Sequence, residues 1–396
     1  MPRLGAGIPA IAWVLCAVLP LLQLTISATF PVVPQIREAF GLNYSEVGVF
    51  LASLGFARLL FDLPAGQIAT RYPGRRLLWM SGGVIFTVCA LAAVASEYWQ
   101  LLAARVVLGT ASAVNQAVIL SWLVTLSGPR NRGLVMGISE AGFSIMVVFS
   151  PIVAGLLAEA LSWRTPFVMG AVAAVVGLAL ILLGTRGHAG YVEPTVGEAE
   201  AAPSFGRLLP VGGALLGVSY VLTYAIFFGR QALTAAYLPA LGGDVLGLSA
   251  LSLGLAISGM SLGSIAATLL GSTLADRLGR AALVLPGFVV LLAVQLALVL
   301  VRDVPTYFAL AWLQAASAGV NGLAPSLVGD ALPPAYRGLG MAGYRMVADF
   351  AILAGPLAAG VALDHVGVHG AWVVICGNTA LCAAVALGLG LRKPAR

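Results

Sequence analysis

Charge is what this sequence holds least of. Only 9% of its 396 residues are Asp, Glu, Lys or Arg, against roughly 25% in a soluble globular domain. That shortage excludes an ordinary water-facing surface, because too little polar side chain exists to cover one. Cysteine is scarce as well. Cys16, Cys89, Cys376 and Cys382 all fall inside apolar runs without paired spacing, so neither a disulfide framework nor a metal site is expected. The three histidines, His188, His365 and His369, sit in predicted loops. No Gly-x4-Gly-Lys-Ser/Thr loop occurs and no soluble domain is long enough to hydrolyse ATP, which argues against a primary pump. No His-Glu-x-x-His is present. Ala256-Ile257-Ser258-Gly259 approaches an intramembrane serine protease motif, but no span carries a His to activate the serine. Neither enzymatic chemistry nor a cofactor is expected.

What is abundant is apolar side chain, 60% of the chain, with a mean hydropathy of +1.00. Twelve apolar spans are predicted at about 11–33, 44–69, 77–96, 99–126, 132–158, 166–185, 208–237, 247–274, 281–301, 305–331, 337–362 and 370–391. Each approaches or exceeds the ~20 residues that cross a bilayer as a helix. The 48 glycines and 21 prolines fit membrane helices, where Gly lets backbones approach and Pro is tolerated. The first span is too long for a signal-peptide apolar core and ends in no convincing cleavage site, so it reads as a first helix. The net charge of +6 does not point to nucleic acid, because of where the charges lie. With the N-terminus in the cytoplasm, the inner loops and ends hold most of the arginines, among them Arg71, Arg75, Arg277, Arg280 and Arg337. Only Arg37, Arg164 and Arg302 fall outside. That bias predicts both termini in the cytoplasm.

One long polar stretch interrupts the pattern, residues 186–207 with Glu193, Glu198 and Glu200. It reads as a flexible cytoplasmic linker between a six-helix bundle at 1–185 and a second at 208–396. The halves repeat each other. At an offset of 205, Arg132-Gly133-Leu134 falls on Arg337-Gly338-Leu339, Pro151 on Pro356, Gly155 on Gly360 and Glu159 on Asp364; at 206, Arg71 falls on Arg277. Parallel repeats about an axis along the membrane normal are a transporter architecture with a central site.

Leu274-Ala275-Asp276-Arg277-Leu278-Gly279-Arg280 carries the most specific motif. It resembles the short loop signature of the major facilitator superfamily, with Gly271 one residue early. The first-half copy runs from Gly66 through Arg71 to Arg75 and Arg76, with Thr70 where the family usually has Asp and Pro73 as an extra residue. Arg105-Val106-Val107-Leu108-Gly109 is similar to a second signature of the family. Gly137, Pro151 and Gly155 resemble its antiporter signature in part. The resemblance covers essentially the whole chain and implies an all-α fold of twelve transmembrane helices in two pseudo-symmetric bundles. Among family members it is nearest to twelve-span drug:proton antiporters.

Seven ionisable residues lie within spans: Arg58, Asp62, Arg105, Glu140, Arg230, Arg345 and Asp349. Each costs about 2.5–3.5 kcal/mol on insertion scales unless it meets water or a partner. Arg58 and Asp62 are four residues apart in span two, as are Arg345 and Asp349 in span eleven, so each pair shares a helix face. The resemblance implies that these spans are antiparallel neighbours, and counting from Arg71 and Arg337 sets Asp62 level with Arg345 and Arg58 level with Asp349. An interbundle gate of two salt bridges is one expectation; closure of each pair within its own helix is the other. The repeat maps Arg58 to Ser264 and Asp62 to Thr268, while Glu140 maps to Arg345. Glu140 would therefore meet hydroxyls and no cation, which makes it the first candidate proton carrier, ahead of Asp62 and Asp349. Arg105, Asn115, Gln116, Tyr220, Tyr224, Arg230, Gln314 and Asn321 either line a substrate cavity or hold helices together.

These readings converge on a secondary transporter, a monomer in a bacterial plasma membrane, with a small-molecule substrate and protons as its partners besides lipid. Proton-coupled efflux of apolar or cationic compounds by alternating access is expected, since only Arg105 and Arg230 lack an evident acidic partner for an anion site. Uptake of a small organic solute is the alternative, and a non-transporting receptor or scaffold the next.

Overall fold

The computed structural model describes residues 8–184, 206 and 208–390. The expected linker lies outside them, apart from Gly206. The described chain is helical. In order, α1 is Ala10–Ala28, α2 Val33–Phe40, α3 Tyr44–Arg71, α4 Gly74–Ala93, α5 Tyr98–Leu126, α6 Gly128–Ala160 and α7 Thr165–Gly184. Then come α8 Leu208–Ala232, α9 Ala250–Leu278, α10 Val284–Ala297, α11 Val304–Leu313, α12 Leu323–Ala331 and α13 Pro334–Gly390.

Ten of the described helical segments are individually long and apolar enough to cross a membrane. Two departures from the expected spans account for the remaining crossings. The 57-residue α13 is about 85 Å long at 1.5 Å per residue, far more than a bilayer core of about 30 Å. Gly367, with φ of 74°, breaks it into two crossings where spans eleven and twelve were predicted. A left-handed φ of that kind is open to Gly at no steric cost. Span ten is split instead: α11 gives way to a 3₁₀ segment, Gln314–Val320, before α12 begins. The fold is therefore the twelve-helix one.

Prolines inside α1, α3, α6 and α13, namely Pro20, Pro64, Pro151 and Pro356, remove a backbone donor without ending the helix, as membrane helices allow. Beyond α8 the backbone widens into π-helical turns at Leu233–Tyr237 and Ala240–Val245.

The residues group into two compact units. One holds the chain up to Phe40, then Phe56 to the end of α7, together with Ser249–Leu255; the other holds Gly41–Gly55, α8 to Leu248, and the described chain from Ala256 onward. In the first, α4 packs on α5 and α7, and α1 on α6 and α7. In the second, α8 packs against α13 and α12, and α10 against α13. The core of the second unit gathers Leu222, Ala225, Phe288, Leu291, Leu323 and Ala324.

Candidate functional site

Polar residues inside the first unit are spent mainly on holding helices together. Asn115 of α5 is fully buried and donates to the Ser81 hydroxyl of α4 at 3.3 Å. Arg105, only 3% exposed, donates to Thr29 Oγ1 at 3.2 Å. The Ser27 and Ser150 hydroxyls join α1 to α6 at 2.6 Å. Arg58 on α3 donates from Nη2 to Gln116 Oε1 at 2.7 Å. One turn further along α3, Asp62 is half-buried, and its Oδ2 has no hydrogen-bond partner among the described residues. Glu140, the first expected proton carrier, is an exposed side chain on α6.

The second unit differs at the repeat-related positions. Ser264 stands where the first half has Arg58, and Asn321 where it has Gln116. Beside Ser264 and Asn321 lies a recess of about 20 Å³, room for one water-sized group. It is lined by Arg230 of α8, Ser264 of α9, Gln295 of α10, and Gln314, Ser317 and Asn321 in the broken tenth span, closed by apolar Ile226, Leu233, Met260 and Leu291.

The broken span shapes this recess. Gln314 opens the 3₁₀ segment, and its amide nitrogen donates to the carbonyls of Val294 and Leu310. With both neighbours acceptors, the nitrogen end is assigned and the carbonyl end is left over. Gln314 Oε1 and Gln295 Oε1 are both buried without a hydrogen-bond partner among the described residues, and the two residues are 2% and 1% exposed. A buried acceptor left without a donor costs about 1–3 kcal/mol. The Ala318 carbonyl in the 3₁₀ segment accepts from the Asn321 N–H at 3.0 Å and also from the Thr268 hydroxyl of α9 at 3.1 Å. Gly271 is what lets α9 come so close: a Cβ there would collide with the Gly319 backbone. Gly229 likewise leaves room for the Gln295 amide.

Of the eight expected cavity residues, the recess brings together Arg230, Gln314 and Asn321. Asn115 and Gln116 serve interhelical contacts instead. Tyr220 donates to the Gly340 carbonyl at 3.0 Å, and Tyr224 stacks on Phe350 with ring centroids 5.9 Å apart. Gln295 and Ser317 were missed. The signal for Gln295 is a lone amide in the middle of an otherwise apolar span, a residue type that hydrocarbon penalises. Asp349 is buried at 4% exposure, whereas Arg345 on the same helix is exposed.

In the loop signature, Arg280 bridges to Asp330 at the end of α12 at 2.8 Å and to Asp276 at 3.9 Å. All three side chains are well exposed, so these pairs contribute about 0–1 kcal/mol. Gly279 makes the turn, with φ of 87°. Gly66, Arg71 and Arg277 are exposed as well, with Arg75 partly covered.

Residues 15–259 and, in a second overlapping match, residues 220–396 fit the family profile described as Major Facilitator Superfamily. A putative uncharacterized transporter, YgaY, of Escherichia coli (strain K12) is 35% identical over 163 residues, 38% of each chain. Facilitated glucose transporter member 10 of solute carrier family 2 from Mus musculus is 29% identical over 176 residues, 44% of this chain and 31% of that one. These matches thus span less than half the length of either relative. Among solved structures, a bacterial homologue of the human lysosomal transporter Spinster superposes with a TM-score of 0.82, over 97% of this chain and 98% of that one, at 14% identity. A likeness at that identity speaks for the fold. With twelve apolar helices, an internal repeat, the loop signature and a profile that matches almost from end to end, the chain belongs to the Major Facilitator Superfamily.

Proposed function

We propose that this protein is a proton-coupled secondary transporter that exports small organic compounds across a bacterial plasma membrane by alternating access. The observation that carries the coupling is Asp62, a half-buried carboxylate inside a span whose Oδ2 has no donor among the described residues. A carboxyl group inside a span can serve as acid and base within a transport cycle. Glu140, exposed on α6, is the second candidate, and Asp349 the third. Monomeric action and cytoplasmic termini belong to the same proposal.

The expected cargo was apolar or cationic. Arg230 on the recess disfavours a cation there, and the amide and hydroxyl groups around it favour a compound with an uncharged polar part. The likeness to a glucose transporter supports that shift, and it also supports the second reading, uptake of a hydroxylated solute.

The test is growth of an efflux-deficient bacterial host that expresses the chain, against a panel of toxic amphiphiles, with and without a protonophore. Resistance that disappears when the proton gradient collapses is the expected outcome. Resistance that survives the protonophore removes the coupling; no resistance from a chain shown to reach the membrane removes export and leaves uptake.

A further inference from the structure

The recess in the second unit has the make-up of a binding site, with its polar groups unequally used. Gln295 Oε1 and Gln314 Oε1 are buried acceptors without a partner among the described residues. The hydroxyls of Ser264 and Ser317 already donate to the Met260 and Gln314 carbonyls of their own helices, at 2.8 and 2.6 Å. Each of these oxygens keeps the capacity to accept. No lining residue is acidic, and Arg230 supplies positive charge. A volume of about 20 Å³ is too small for a guanidinium and suits a single hydroxyl.

We infer that this recess is a substrate subsite that receives one hydroxyl of an uncharged, hydroxylated solute, held by the carbonyl oxygens of Gln295 and Gln314. Gln314, the first residue of the 3₁₀ segment Gln314–Val320, lines the recess together with Ser264. Acceptor oxygens reward a hydroxyl donor. This inference rests on the transporter reading for its physiological meaning, but the binding it predicts is independent of coupling.

The experiment is thermal unfolding of the purified full chain in lipid nanodiscs with millimolar D-glucose or D-mannitol, and with tetraethylammonium as the cationic control. Both polyols are expected to raise Tm in a saturable way, and the cation is not. Gln295→Met removes the amide at nearly constant length; its ligand-free Tm should equal or exceed that of the native chain, since an unpaired acceptor is gone. Its apparent affinity for the polyols should fall at least about tenfold, a loss near 1.4 kcal/mol. A purely structural glutamine would show the opposite, a lower ligand-free Tm and unchanged binding. Should Gln295→Met fail to fold, Ser264→Val, which fills the recess from α9, decides by the same loss. No shift with either polyol in the native chain overturns the subsite, as does a shift that survives in the folded variants. Polyol binding without gradient-driven transport would leave the subsite standing and remove the coupling; protonophore-sensitive export with no polyol binding would do the reverse.

Discussion

The proposed order of Asp62 and Glu140 as proton carriers rests on their unequal burial. Asp62 is half-buried with Oδ2 short of a donor among the described residues, whereas Glu140 is exposed. Two consequences can be measured in proteoliposomes. Asp62→Asn should abolish solute accumulation driven by an imposed pH gradient while leaving exchange of labelled for unlabelled solute intact, because exchange needs no net proton movement. Glu140→Gln should do so less completely. Gradient-driven accumulation by Asp62→Asn with its usual pH dependence would take the role away from that residue. At this scale the sequence identifies which side chains are costly in hydrocarbon. It could not say which of them retain water, since that depends on neighbours from other helices. Arg58 illustrates this: its interaction with Gln116 joins positions 58 residues apart.

At the scale of elements, the N-terminal ends of α3 and α9 are stabilised by the same device. Asn43 and Glu46 form a reciprocal cap on α3, each side chain accepting from the other's backbone N–H at 2.8 Å. The N–H groups of the next two residues, Tyr44 and Ser45, donate to the Asp364 carboxylate at 2.8 and 2.7 Å. In the repeat, Ser249 caps α9 through Ser252 N at 3.3 Å, and Glu159 takes the N–H of Leu251 at 2.9 Å. Glu159 and Asp364 are the pair that the 205-residue offset aligns, so a match noticed as a letter correspondence turns out to be one capping arrangement used twice. It also occupies Asn43-Tyr44-Ser45, a formal glycosylation sequon. Asp364→Ala should speed amide exchange at Tyr44 and Ser45 by roughly 2- to 30-fold, the equivalent of about 0.5–2 kcal/mol for a lost cap. Unchanged exchange would mean that solvent serves these groups equally well.

The acid dependence of that cap follows from Asp364. Partial burial pulls its pKa up, but the hydrogen bonds from Ser45 and Tyr44, with His365 beside it, outweigh burial and hold the group below the usual 3.8. A carboxyl lowered in the folded state stabilises above its unfolded value and loses that contribution as pH falls through the folded value. His365 stands alongside it, and the Tyr44 hydroxyl donates to Asp244 at 3.0 Å. The difference between native chain and Asp364→Ala should stay constant from neutral pH down to about 5 and close only below 3.8. A difference that closes near neutral pH would point to His365 instead.

For the whole molecule, the distribution of arginines makes a direct prediction about sidedness. A single cysteine at Arg302→Cys, in a background with the four native cysteines replaced, should react in intact cells with a membrane-impermeant maleimide. Arg277→Cys should react only after permeabilisation. The reverse pattern would invert the topology and place both termini outside. The native cysteines are free and buried, which makes their replacement by small apolar residues a mild change.

By itself, the sequence determined the membrane class, the twelve crossings, the repeat and the family likeness. Each is written in local composition or in fixed offsets along the chain, because a helix in lipid must satisfy its own backbone and show apolar side chains outward. Only the tertiary structure decided where the polar side chains go. It turned Asn115 and Tyr220 into helix contacts, left Glu140 exposed, broke span ten at Gln314, and set Gln295 beside it in a recess. Those outcomes depend on which helices approach closely, as α9 does at Gly271 and α8 at Gly229. Pairing between helices distant in sequence has no period along the chain from which it could be read.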